Sequence, residues 1–158
     1  MPFSDSRRVE NHYPTMPLAE ICALAVAELA TPDALLFLWA PAPKLEEAFQ
    51  VIGAWGFEYR TGMVWAKDKI GMGNYVRQQH EHLLIARRGE IPLPPTDARP
   101  PSLLHAARGG HSEKPVEMYG IIERMYPELP KIELFARQAR EGWSFWGNEI
   151  ETTAVGAA

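Results

Sequence analysis

The chain has 158 residues, 46% of them hydrophobic and 23% charged, the size and make-up of one globular domain with a single core. Sixteen Lys and Arg against twenty Asp and Glu give a formal net charge of −4, which excludes a strongly basic domain that binds nucleic acid through bulk electrostatics. The longest strongly apolar stretch, 34–40, is far short of the roughly 20 residues of a membrane-spanning helix; MPFSDSRR lacks the apolar core of a signal peptide, and the lone Cys22 forms no internal disulfide, so the chain reads as intracellular, cytoplasmic or nucleoid-associated.

Residues 17–30, PLAEICALAVAELA, carry Leu18, Ile21, Cys22, Ala25 and Leu29 at three- and four-residue steps behind Pro17, which predicts one amphipathic helix with Cys22 in the core. Thr31-Pro32-Asp33 ends it. The continuous apolar run ALLFLWA then has the pattern of a strand buried on both faces in a parallel sheet. A second helix is expected over 44–54, with Leu45, Ala48, Phe49 and Ile52 on one face, followed by a strand over 57–67. The polar, Gly-containing stretch 68–79 reads as a long loop, of the kind that is functional or disordered.

Residues 81–87, EHLLIAR, form a further strand, and two strands with no helix between them imply a local antiparallel pair. His80 and His82 then share one face with Glu81 on the other, a pair read as structural rather than metal-binding. Residues 90–102 hold five of the fourteen prolines and read as a surface loop. A short strand over 103–106 precedes a helix opening at Pro115, with Met118, Ile121, Ile122 and Met125 as its apolar face. Strands over 131–136 and 142–150 complete a single domain over 1–150, and 151–158 reads as a disordered tail.

This alternation argues an α/β fold on a mostly parallel sheet with one antiparallel pair, in which ligands sit beyond the carboxyl ends of the strands. The loops at those ends offer His12 to Met16, Lys67-Asp68, Asn74-Tyr75, His111 to Pro115 and the stretch after Arg137. None holds a GxGxxG or a Gly-rich phosphate cradle, which disfavours nucleoside triphosphates and dinucleotides. Arg7-Arg8, Lys67 with Lys69, and Arg87-Arg88 are the local basic patches. Trp39 and Trp65, in apolar strands, read as core rather than as base-stacking platforms.

Nine short blocks follow one another in order: His12-Tyr13-Pro14-Thr15-Met16, Leu36-Phe37-Leu38-Trp39, Trp55-Gly56-Phe57, Val64-Trp65-Ala66-Lys67, His80-Glu81-His82, His111-Ser112-Glu113-Lys114-Pro115, Ile122-Glu123-Arg124, Ile132 to Arg137, and Gly142-Trp143 through Asn148-Glu149. Together they resemble the MT-A-seventy family of adenine N6-methyltransferases, over residues 10–150. The resemblance implies a Rossmann-like fold in permuted order, the catalytic segment preceding the S-adenosylmethionine (SAM) segment. It also implies methyl transfer from SAM to the exocyclic amine of adenine in DNA or RNA. The amine is a poor nucleophile because its lone pair is delocalised into the ring, so such a site must orient it against the methyl donor and exclude water.

On that resemblance Lys114 matches the lysine beside the methionine carboxylate of SAM, Arg137 and Asn148 match residues that hold its ribose, and Tyr13 lines the base or SAM pocket. Glu133 is either a pairing or a cofactor residue. The nucleic-acid face is expected on 68–79, with Arg77, Asn74 and Tyr75, together with Arg7 and Arg8. A homo- or heterodimer is left open, and no membrane contact is expected. The relatives' Asp-Pro-Pro-Trp motif has no counterpart; by spacing it would end at or just before Met1, and Asp5, without a proline pair, does not replace it. The expectation is a chain started at an internal methionine, its first catalytic strand missing, with a naturally shortened relative as the alternative. The competing functional class is a catalytically inactive nucleic-acid-binding or scaffold subunit.

Overall fold

The computed structural model describes residues 16–110 and 113–147; the tail expected at 151–158 lies outside them. The described residues fall into two compact units, one of Leu18–Met125 and one formed by 16–17 with 126–147.

The larger unit runs α1 (Leu18–Ala23), α2 (Val26–Leu29), β1 (Ala34–Pro41), α3 (Leu45–Ala54), β2 (Glu58–Lys67), β3 (His80–Arg88), β4 (Leu103–Ala106) and α4 (Glu117–Met125). The helix expected over 17–30 is two short pieces, broken at Leu24-Ala25, where the Leu24 N–H donates to the Ile21 carbonyl and the Val26 N–H to that of Leu24. Trp55 Nε1 also donates to the Ile21 carbonyl at 2.9 Å, and Arg88 Nη1 donates to that of Ala27 at 2.9 Å. Val26 is buried, whereas Cys22, expected in the core, is only half-buried.

The strands form a four-stranded sheet in the order β1-β3-β2-β4. β3 is antiparallel to both β1 and β2, and β4 is parallel to β2. This corrects the expectation of a mostly parallel sheet with one antiparallel pair. β3 returns from β2 through a loop without a helix, so it must reverse direction. Because it inserts between β1 and β2 instead of adding at an edge, it imposes an antiparallel ladder on both sides. β1 and β2, joined through α3, therefore run in the same direction without touching, and with β4 they point their carboxyl ends the same way.

The core lies where α3 and α4 bury Val51, Ile52, Met118, Ile121 and Met125, and where the sheet buries Met63, Trp65, Leu83, Leu84 and Ala86. The period-two reading of β3 holds: His80 and His82 face the side opposite Glu81, their rings edge-on at 5.1 Å. The helix after Pro115 forms from Glu117, with Met118, Ile121 and Met125 inward as the pattern predicts. No helix among the described residues is long and apolar enough to cross a membrane.

In the smaller unit β5 (Lys131–Leu134) and β6 (Trp143–Trp146) pair in parallel. Phe135 follows β5 with φ 58°, a left-handed conformation rare for a bulky residue, and its N–H donates to the Trp146 carbonyl. Its ring meets that of Trp146 edge-on at 5.4 Å. Buried Ala136 and exposed Arg137 come next.

The turn that closes β3 onto the start of β1 generates a stability prediction. Gly89 has φ 69°, and Asp33 Oδ1 accepts the Glu90 N–H at 2.9 Å. A Cβ on Gly89 would run into the Asp33 carboxylate and the Pro32 carbonyl. Gly89→Ala is expected to cost about 1–3 kcal/mol, the range for a strained non-glycine residue in a turn, read as a lowered urea midpoint with an unchanged slope.

Candidate functional site

The register of the sheet sets Glu81, near the start of β3, opposite Pro41 of β1 on one side and Trp65 of β2 on the other. It thus sits where β1 and β2 end. Its side chain is only 10% exposed, and a carboxylate so far from water needs a cation. Two arrive from different directions. Lys67 Nζ, on the last residue of β2, lies 2.9 Å from Oε2, and Lys114 Nζ, from the segment leading into α4, lies 2.7 Å from Oε1.

Indole faces complete the cluster. Trp39 and Trp65 meet edge-on with centroids 5.7 Å apart. Lys114 Nζ sits 5.8 Å from the Trp39 ring, and Lys67 Nζ 4.8 Å from that of Trp65, both within cation–π range. Trp65 Nε1 donates to the Ala106 carbonyl at 2.9 Å, which fastens the end of β4 to the same place. Trp65 is buried as the sequence implies, whereas Trp39, expected in the core, is only half-buried on the edge strand; together they wall a charged site.

Burial pushes the Glu81 carboxyl up, but the charge and hydrogen bond of Lys114, then those of Lys67, outweigh it and hold the group below its ordinary value. The carboxylate is therefore charged at neutral pH, and two ammonium groups against one carboxylate leave one positive charge in surplus. Each ammonium has three donors, and Glu81 uses one of each. That donor set suits a ligand carboxylate, so the residues present fit the amino-acid end of SAM.

A second acid near the strand ends, Asp68, is exposed and held through one oxygen. Asp68 accepts the Arg108 backbone N–H at 2.8 Å, and that bond, ahead of the nearby Lys69 and Arg108 charges, holds its carboxyl below the usual value. On the opposite face, burial and then the His80 charge lower the pKa of His82.

The sequence-expected residues divide as follows. Lys114 is in the cluster. Arg137 follows β5 in the smaller unit, and Glu133 is within that strand. Asn74, Tyr75 and Arg77 stand exposed on the 68–79 loop. Tyr13, Asn148, Arg7, Arg8 and Asp5 lie outside the described residues. The sequence reading placed Lys67 at a strand end and in a basic patch but missed Glu81 as the centre that joins it to Lys114. The available signal was the alternation itself: in HEHLLIAR, Glu81 shares a face with Leu83, and an acid on an inward face demands a cation.

The MT-A70 family pattern matches residues 3–149. The chain is 40% identical over 144 residues to the "Type II methyltransferase M.MunI" of a Mycoplasma species, covering 90% of this chain and 62% of that protein. It is 31% identical over 153 residues to the N(6)-adenosine-methyltransferase MT-A70-like protein of Drosophila melanogaster, covering 90% of this chain and 25% of that one. To the N(6)-adenosine-methyltransferase catalytic subunit METTL3 of Homo sapiens it is 30% identical over 129 residues, covering 75% of this chain and 22% of that one. The chain thus spans less than two thirds of the length of each of these relatives.

The cluster predicts a pH-dependent stability. Glu81→Gln removes the anion and leaves two ammonium groups facing each other, so a loss of about 3–5 kcal/mol is expected at pH 7, the range for breaking a buried ion pair. Since the folded pKa is lowered, the stabilisation is complete above the ordinary value of 4.5 and disappears as pH falls through the folded pKa. Urea titrations of parent and variant should differ most above pH 5 and converge as the medium becomes more acid.

Proposed function

The chain belongs to the MT-A70 family, and from that premise we propose that it transfers a methyl group from SAM to the N6 amine of adenine in nucleic acid. The observation that carries this reading is the surplus positive charge of Lys67 and Lys114, held on Glu81 between two indoles at the carboxyl ends of parallel strands. SAM, when bound, supplies a methyl group made electrophilic by its sulfonium.

The chain's residues then have distinct tasks. Lys114 holds the methionine carboxylate through the donors Glu81 does not use, and Glu81 keeps that ammonium aimed. Trp39 and Trp65 shed water from the site and hold the two lysine side chains against their faces. Arg137, Asn148 and Tyr13 serve the ribose and ring end, in a permuted order that puts the catalytic segment ahead of the SAM segment. Arg77, Asn74 and Tyr75, with Arg7 and Arg8, hold the nucleic acid. Glu81 does not suit the amine acceptor, since each of its two oxygens is held by a lysine; Asp68 has one oxygen on the Arg108 N–H and the other open. In the family this role falls to the Asp-Pro-Pro-Trp motif, which has no counterpart in this sequence.

The sequence holds no Asp-Pro-Pro-Trp motif, which favours a second reading, a nucleic-acid-binding or scaffold subunit that binds SAM without turnover. Incubation with methyl-labelled SAM and adenine-containing DNA or RNA, followed by mass spectrometry of the nucleosides, separates the two. N6-methyladenine supports the enzyme, and binding of SAM or nucleic acid without product supports the subunit.

Two variants test the site. Lys114→Ala is expected to weaken SAM binding by about 1–3 kcal/mol, the loss for a charge-assisted hydrogen bond, measured by calorimetric titration at a temperature where the variant is folded. Arg77→Glu should weaken nucleic-acid binding and flatten its decline with rising salt, because one phosphate contact is lost and a repulsive charge gained. Equal salt slopes for parent and variant would remove Arg77 from the interface.

A further inference from the structure

The loop between β2 and β3 is a built finger. Past the ends of the two strands the ladder continues: the Lys67 N–H donates to the Gln79 carbonyl at 2.9 Å, the Gly71 N–H to that of Gln78 at 2.7 Å, and the Gln78 N–H to that of Met72 at 3.0 Å. Arg77 Nη1 reaches back to the Gly73 carbonyl at 3.3 Å. The turn closes so tightly at Gly73 that a Cβ there would collide with the Val76 carbonyl.

This finger carries Ile70, Met72, Tyr75 and Val76, all large, apolar and exposed, Met72 by 80%. Four such side chains within seven residues are costly in water without a partner. The surrounding charge narrows the partner. In a chain with a net charge of −4, the finger holds Lys69 and Arg77 against Asp68 alone. Asp68 is bound to the Arg108 N–H, and the Arg108 guanidinium lies beside Gly71. An apolar tip flanked by cations suits stacked bases between phosphates, where aliphatic side chains enter base steps and unstack them.

We infer that the 68–79 finger is an unstacking wedge: Met72 and Val76 enter a base step of a duplex, Tyr75 covers the exposed base, Lys69, Arg77 and Arg108 track the phosphates, and an adenine is released toward the Lys67–Glu81–Lys114 site. The inference rests on the reading that the chain acts on adenine in nucleic acid. It adds that the chain opens a duplex itself. The finger grows directly from Lys67 and from the strand carrying Glu81, so a base displaced at its tip leaves the stack beside the site.

The test uses the full chain with a duplex containing 2-aminopurine, whose fluorescence rises on unstacking, and with the same labelled strand alone. The parent should raise the duplex signal. Met72→Ser with Val76→Ser should abolish that rise and weaken duplex binding about tenfold, while single-strand binding changes less than about twofold, because only the duplex has a stack to open. Gly73→Val, which deforms the turn but keeps every tip side chain, should reproduce the loss. Duplex and single-strand binding that fall together, or that both stay at the parent level, would overturn the wedge. So would a double serine variant whose effect is dissociation of an oligomer in sedimentation, which would make the finger a protein interface. A parent that binds single strands and leaves the duplex signal flat defeats only the wedge, whereas a parent that binds neither form defeats the reading beneath it as well.

Discussion

One carboxylate shared by two lysines organises this molecule. Glu81 is withdrawn from water on the middle strand of the sheet, and such a group is tolerated only when its charge is answered locally. The answers come from the end of β2 and from the segment that leads into α4. A single anion therefore fixes where two separate parts of the chain finish, and it holds both lysine side chains against the indole faces of Trp39 and Trp65. The unequal count, two cations to one anion, turns a structural cluster into a place where a further anion is welcome.

The unusual strand order makes that cluster possible. Because β3 lies between β1 and β2, its first residues fall beside the last residues of both neighbours, and Glu81 comes level with Pro41 and Trp65. Had β3 added at the outer edge of β2, Glu81 would have had one neighbour and no Trp39 nearby. The same reversal projects the 68–79 finger past the carboxyl ends, next to the charged site. Antiparallel insertion thus supplies both the anchor for the lysines and the device that reaches outward.

The smaller unit carries its own constraint. Phe135 is held in a left-handed conformation by its bond and ring contact with Trp146, and this turns the chain sharply at the end of β5, just ahead of Arg137. Backbone strain of this kind persists where surrounding contacts over-determine it, often beside functional residues.

Much of this was legible in the residues alone. The positions of β1, α3 and α4, the alternation in β3 and the proline-rich loop appear where periodicity and turn chemistry put them, and the ordered blocks identify the family; but β1, expected buried on both faces, is a half-buried edge strand, and α3 turns Val51 inward and leaves Phe49 exposed. These signals depend on neighbours a few residues apart. The single helix expected over 17–30 is instead two pieces, each tied by a side chain from far along the chain, Trp55 to the Ile21 carbonyl and Arg88 to that of Ala27, 34 and 61 residues away. Sheet direction likewise followed from where β3 inserted, a choice no local pattern encodes. The pairing of Glu81 with Lys67 and Lys114 joins residues 14 and 33 apart. The sequence by itself determined which segments are strands and helices and which family they compose, while only the tertiary structure decided which charge meets which, because ion pairing and strand insertion depend on distances that exist only once the chain has folded.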